Sequence, residues 1–120
     1  MWYSILRVGD GEIDRQHMNI DAYLRQIGDK YQDPTEIVVK TIDALISHFK
    51  SEEDHCENKN YNMSQDHKNE HLRLKEKLTE IKMHVATKQL DQFIAAYTIK
   101  GILYEHIQKF DQEINPDRSA

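Results

Sequence analysis

Helix breakers are nearly absent from this sequence. Its 120 residues include two prolines and four glycines. That excludes a collagen-like or low-complexity chain and leaves few places where a helix must stop. Cysteine is almost missing as well. Cys56 stands alone, so no disulfide forms within the chain and a disulfide-stapled fold is excluded. There is no excess of positive charge. Sixteen Lys and Arg against 21 Asp and Glu give a net charge of −5, and a phosphate backbone, which needs a basic face, is not the expected partner. No apolar run approaches the roughly 18 residues needed to span a bilayer. The opening "MWYSILRVGDGE" lacks a basic segment followed by a long apolar stretch, so no signal peptide is expected. With the lone cysteine, these features lead to the expectation of a soluble, cytoplasmic protein that works on neither nucleic acid nor membrane.

What is present is Leu, Ile, Lys, Glu, Gln and Asp, the composition of a helical protein, in a length that supports one domain with one core. No repeat or linker divides residues 1–120. Residues 1–13, with Trp2, Ile5, Leu6, Val8 and two glycines, are expected to form an extended arm on the core.

Four helix-length segments follow. The first is expected from about Asp14 to Tyr31. Asp14 would cap it, an Ile13–Met18 staple would close it, and His17, Leu24, Ile27 and Tyr31 would line its inner face. The second starts on a clear signal: Asp33 as cap, Pro34 at the first helical position and Glu36 at the third. Its inner face is Val38, Ile42, Leu45, His48, Phe49, Glu52 and Cys56, and the polar "NKNYNMS" at 58–64 ends it. Ser64 can cap the third, whose inner positions are His67, His71, Leu74, Leu78, Ile81 and Val85. After a break near Ala86–Lys88, the fourth runs to about Ile114, with Phe93, Ala96, Ile99, Leu103, His106, Ile107 and Phe110 facing inward. Four amphipathic helices on short loops favour an all-α, antiparallel up-down-up-down bundle.

The seven histidines are the unusual feature, four of them between His48 and His71. His48 and Glu52 are four apart and share one helix face, as do His67 and His71. His106 and Asp111 are five apart, which in an ideal helix turns them about 140° from each other. They can share a site only through a local π-type widening or a sideways reach of Asp111. His17 adds a contributor from the first helix. No single pair is specific, because a chain with this many histidines gives roughly 0.4 HxxxH pairs by chance. A lone histidine on an apolar face is ordinarily a hydrogen-bonded core residue. The joint pattern is different, since every predicted helix places a metal-competent residue on its apolar face. Seven imperfectly paired groups in one core, at about 1–3 kcal/mol each, would consume a total stability of about 5–15 kcal/mol. Metal removes that objection. Five imidazoles and two carboxylates exceed one four-coordinate zinc and suit two ions about 3–4 Å apart. By ligand type, iron, copper, nickel and zinc all remain open.

Over almost its whole length the chain resembles the bacterial hemerythrin-like domains. The resemblance rests on Trp2, Val8, Gly9, Ile13, Asp14, Gln16 and His17 ("W…VG…IDxQH"). It continues in His48, Phe49, Glu52, Glu53, Tyr61, His67 and His71 ("HFxxEE…Y…HxxxH") and ends in Leu103, His106, Ile107 and Asp111 ("LxxHIxxxD"). It implies a four-helix bundle around a non-haem di-iron centre with an oxo or hydroxo bridge. By that likeness one iron takes His67, His71 and His106, the second takes His17 and His48, and Glu52 and Asp111 bridge them. The second iron then keeps an open position where dioxygen binds reversibly, for carriage, storage, delivery or sensing. Leu103 and Ile107 would line that position and keep it dry. A signalling or oxygen-using partner protein would read or use the bound gas. The alternative is a di-iron enzyme, or a regulatory module responsive to redox state or nitric oxide. An enzyme is not the expectation, because no substrate-cleft signature and no additional carboxylate ligands are present.

Three positions depart from the family pattern. Ile102 stands where tryptophan is frequent, Cys56 where methionine is common, and Asn62 where proline often follows the tyrosine. Loss of a bulky aromatic at 102 is expected to open the pocket to small ligands and water. His55 makes a Glu-x-x-His pattern with Glu52, which a ferritin-like site would need twice. It is expected near the bundle end, outside the metal set. His84 is expected at the surface and Cys56 in the core.

Overall fold

The computed structural model describes residues 8–26, 34–61 and 63–111, and among these the chain is helical with no strand. The helices are α1 (Gly11–Gln26), α2 (Pro34–Asn58), α3 (Gln65–Ala86) and α4 (Gln92–Lys109). Trp2, Ile5, Leu6, Ile27, Tyr31, Asp33, Asn62 and Ile114 lie outside the described residues, and with them the expectations made for those positions.

The cap of α1 is Asp10, not Asp14. Asp10 Oδ1 accepts from the N–H of Glu12 at 3.0 Å and of Ile13 at 3.1 Å. Its carbonyl accepts the N–H of Asp14 at 2.8 Å. Tertiary partners select this aspartate. Tyr61 donates its hydroxyl to Asp10 Oδ2 at 3.0 Å, and His55 Nε2 approaches the same oxygen at 3.0 Å. Asp14 instead turns Oδ1 back to the N–H of Val8, at 2.6 Å. The helix therefore begins three residues earlier than expected, and the arm is shorter than residues 1–13. Ile13 sits inside the first turn as core rather than as a staple before it.

Ser64 caps α3 as expected, accepting the N–H of His67 at 3.1 Å. The buried set of α3 is the predicted one, His67, His71, Leu74, Leu78, Ile81 and Val85. Asp91 caps α4 by accepting from Phe93 and Ile94. The α3–α4 turn that leads there passes through Lys88 at a φ of +60°. On α4 the inner face is Ala95, Ile99, Leu103, His106 and Ile107. Phe93 is half exposed, a correction to its expected inward position, and Ala95 takes the core place that Ala96 was expected to fill. The hydrophobic period slips here because apolar residues occupy most positions of this helix's first turns, so spacing alone does not single out a face.

Side-chain contacts fix the topology. Asp10 meets His55 and Gln16 meets His48, so α1 and α2 run in opposite directions. Glu53 meets His71 while Asp43 meets Lys82, which sets α3 antiparallel to α2. Tyr104 meets Asp21 and Asp111 meets His17, which does the same for α4 against α1. The result is the antiparallel four-helix bundle, with α2 packed against all three other helices.

The bundle has two unlike ends. At one, Ile20 of α1, Val38, Ile42 and Leu45 of α2, Leu74, Leu78, Ile81 and Val85 of α3, and Ala95 and Ile99 of α4 form an apolar core. Burial of each large aliphatic side chain there contributes about 1.5–3 kcal/mol. At the other end the same four helices turn histidines and carboxylates inward. No helix among the described residues is long and apolar enough to cross a membrane.

Candidate metal centre

Two of the helices supply the polar end by repeating a helical step. On α2, His48 and Glu52 are one turn apart, and their side chains meet at 2.9 Å, Nε2 to Oε2. On α3, His67 and His71 repeat the step, with ring centroids 4.7 Å apart. His17 comes from α1 and His106 from α4. Asp111 joins them because α4 stops. The helix ends at Lys109 and Phe110 leaves regular geometry at φ −117°, ψ −48°. The carboxylate that a continuous helix would carry away is thereby returned to the cluster. Among the described residues no π-type widening is involved.

All seven residues are buried, at 4% exposure or less. Their facing atoms divide into two groups, and the two carboxylates make the division. Glu52 turns Oε1 to Nε2 of His67 (3.1 Å) and of His71 (3.2 Å). It turns Oε2 to His48 (2.9 Å) and, at 3.7 Å, to His17. Asp111 turns Oδ1 to His67 (2.8 Å) and His106 (2.9 Å), and Oδ2 to His17 (3.0 Å). One half-site is therefore His67, His71 and His106 with an oxygen from each carboxylate. The other is His17 and His48 with the remaining oxygens. In each group the candidate ligand atoms lie within 4.8 Å of one another.

The electrostatics fit a cation. Both oxygens of Glu52, Oδ2 of Asp111 and Nε2 of His48 are buried and have only the close histidine–carboxylate approaches just given, none with full hydrogen-bond geometry. Such groups cost about 1–3 kcal/mol each when left in a core, and metal ions are partners that a dry four-helix interior otherwise lacks. Burial alone would push the imidazole of His17 down, but the carboxylates of Asp111 and Glu52 outweigh it and hold it up at about 10. The same balance holds His67 up at about 10. Burial and the charge of Glu52 would raise the carboxyl of Asp111, but His106, His17 and His67 bring it down to about 2. Glu52 is likewise held well below the ordinary range against its burial, by the four histidines around it. The metal-free cluster thus carries protons where cations belong. The donor set fits metal binding, with Glu52 and Asp111 common to both groups of candidate ligands.

Side chains behind the rings orient two of the histidines. His48 Nδ1 donates to Oε1 of Gln16 at 2.6 Å, and His71 Nδ1 donates to Oε2 of Glu53 at 2.8 Å. A ring that gives its Nδ1 proton outward keeps the Nε2 lone pair for the centre. Phe49 stacks on His71 at 4.6 Å and Phe110 on His106 at 5.5 Å, which fixes the ring planes. In the sequence Gln16 and Glu53 stand only as parts of motifs, without a role. Their signal was adjacency. Each follows or precedes a candidate ligand by one residue, so it sits about 100° round the helix, on the flank of the inward face.

The other candidates fall outside the cluster. His55 pairs with Asp10 and packs edge-on against Tyr61, so the Glu-x-x-His pattern does not bring it to the centre. His84 is half buried near the C-terminus of α3, and Cys56 is core. Leu103 and Ile107 are fully buried on the helix that carries His106, and Ile102 is half buried at the core's edge.

The family model of the hemerythrin HHE cation binding domain matches residues 8–117. Comparisons with curated proteins and with solved structures gave no significant match.

Proposed function

The chain belongs to the hemerythrin family, and on that premise we propose that its buried cluster holds two iron ions and binds dioxygen reversibly at one of them. The observation that carries this reading is the unequal split of donors between the half-sites. His67, His71 and His106 with two carboxylate oxygens give five protein donors. His17 and His48 with two carboxylate oxygens give four. An ion at the four-donor half-site would have more room for an outside ligand than one at the five-donor half-site. Iron held by these residues would supply the reversible electron transfer to dioxygen that no side chain offers.

The protein's part is to hold, orient and keep dry. Glu52 and Asp111 link the half-sites and bring negative charge to a place where the core has no water to screen it. Gln16 and Glu53 hold His48 and His71 in the ligating tautomer. Leu103 and Ile107 extend the apolar wall beside His106, and Ile102 stands at its rim. An apolar wall admits a small neutral gas and excludes the water and ions that would compete with it for the centre. The role is that of a dioxygen-binding module, for carriage, storage, delivery or sensing, and a partner protein would use or read the bound gas.

The test is anaerobic loading with ferrous iron, then exposure to oxygen while the visible spectrum is followed. A charge-transfer band that appears with oxygen and disappears when oxygen is removed supports the proposal. Irreversible conversion to the ferric form, with turnover of an added reductant, favours a di-iron enzyme or redox sensor instead. Uptake of one zinc per chain and no iron overturns it.

A further inference from the structure

Each half-site contains one histidine whose outer nitrogen is held by a side chain that reaches the surface, and the two holders differ in charge. In the two-histidine half-site, His48 gives its Nδ1 proton to the amide oxygen of Gln16. That amide is itself fixed, because its Nε2 donates to Oε1 of Glu12 at 3.0 Å, which leaves only the oxygen for the ring. In the three-histidine half-site, His71 gives its Nδ1 proton to the carboxylate of Glu53. Gln16 and His48 line a groove of about 360 Å³ between α1 and α2. Glu53 lines a separate groove of about 630 Å³ at the C-terminal end of α2.

An imidazole that donates to a neutral amide stays close to neutral in character. One that donates to a carboxylate shifts toward imidazolate, becomes a stronger donor, and stabilises a more highly charged metal. We propose that Gln16 and Glu53 are positioning residues that make the two ions unequal: the Glu53-backed three-histidine half-site binds its ion more tightly and holds it in the higher oxidation state more readily, while the Gln16-backed half-site holds the looser, more easily reduced ion. The holders act in the same direction as the extra histidine, so the difference in donor number is reinforced.

This inference rests on the reading that the cluster holds two ions, and the test separates the two. Metal-free protein is titrated with cobalt(II), followed by its visible absorption, for the wild-type chain and for Glu53→Gln and Gln16→Met. Both substitutions preserve side-chain size, and circular dichroism confirms that each variant is folded. In a wild-type chain that takes up two ions in two steps, Glu53→Gln is expected to weaken the tighter step about 10-fold and leave the weaker one in place. Gln16→Met is expected to weaken only the looser step, by about 10–100-fold. With iron bound, Glu53→Gln narrows the gap between the two reduction potentials, a change that a purely structural role would not produce. Equal shifts of both steps, or no shift of either, overturn the inference while leaving the two-ion reading intact. Uptake of fewer than two ions by the wild-type chain overturns both.

Discussion

Asp111 places a carboxylate oxygen 2.9 Å from Nε2 of His106, although the five-residue step between them would separate the two on a continuous helix. The end of α4 at Lys109 makes the contact possible, and the same carboxylate also reaches His17 and His67. A single side chain therefore closes both half-sites.

If the cluster holds two ions as proposed, Asp111→Ala should reduce metal content to one or none per chain after loading, as read by elemental analysis. Fold content by circular dichroism should be retained, because the apolar end of the bundle is untouched. Retention of two ions would show that the centre does not share this carboxylate.

Metal uptake should release protons. His17 and His67 are held up at about 10 in the metal-free cluster, so both rings carry a proton at neutral pH, and ligation removes it. Calorimetric titration in two buffers of different ionisation enthalpy should report release of about two protons per chain. Apparent affinity should rise with pH across the neutral range. A pH-independent affinity would contradict the arrangement.

The junction of α1, α2 and the α2–α3 turn should weaken in acid. Burial would raise the carboxyl of Asp10, but His55, the N–H of Ile13 and the Tyr61 hydroxyl together hold it below its ordinary value. A depressed carboxyl contributes stability above its unfolded value, near about 3.9. That stability is lost as pH falls through the folded value. Asp10→Asn can still cap the helix, so urea midpoints of this variant should flatten at the acid end of the profile. Asp10→Ala, which loses the cap too, should cost about 1–3 kcal/mol at neutral pH.

Ile102→Trp should slow oxidation of the ferrous protein in air. Ile102 is half buried at the edge of the wall that Leu103 and Ile107 form, and a larger ring there narrows access for water. The measurement is the rate of growth of the ferric spectrum under oxygen. An unchanged rate would show that access does not run past this residue.

Much of the bundle was legible because its signals are local. Ser64 three residues before His67, and apolar residues at steps of three and four through Val85, mark α3 without help from the rest of the chain. The seven cluster residues were legible for the same reason, since each sits on a periodic inner face or in a motif of the family. What periodicity could not show was set by tertiary contact. Two aspartates compete to cap α1, and Tyr61 and His55, 51 and 45 positions away, decide for Asp10. Phe93 has the spacing of a core residue on an almost uniformly apolar stretch, yet it faces outward. Gln16 and Glu53 are polar flank residues whose roles exist only once α1 and α3 lie beside α2. Asp111 depends on where α4 ends, a boundary that composition leaves undefined.

The separation of the bundle into an apolar end and a polar end implies an order of assembly. Val38, Ile42, Leu45, Leu78, Ile81, Val85 and Ile99 need nothing but each other to leave water, so that half can form in a newly made chain before any ion arrives. The half with His17, Glu52, His67 and Asp111 is held by histidine–carboxylate contacts, which ligation would replace with stronger ones. In hydrogen exchange of the metal-free protein, amides around Leu45 and Leu78 should already be the slow ones, and those around Glu52 and His106 should slow markedly when metal is added. The apo chain is then a competent receiver, firmly packed at one end and looser at the other, and it loads without having to unfold.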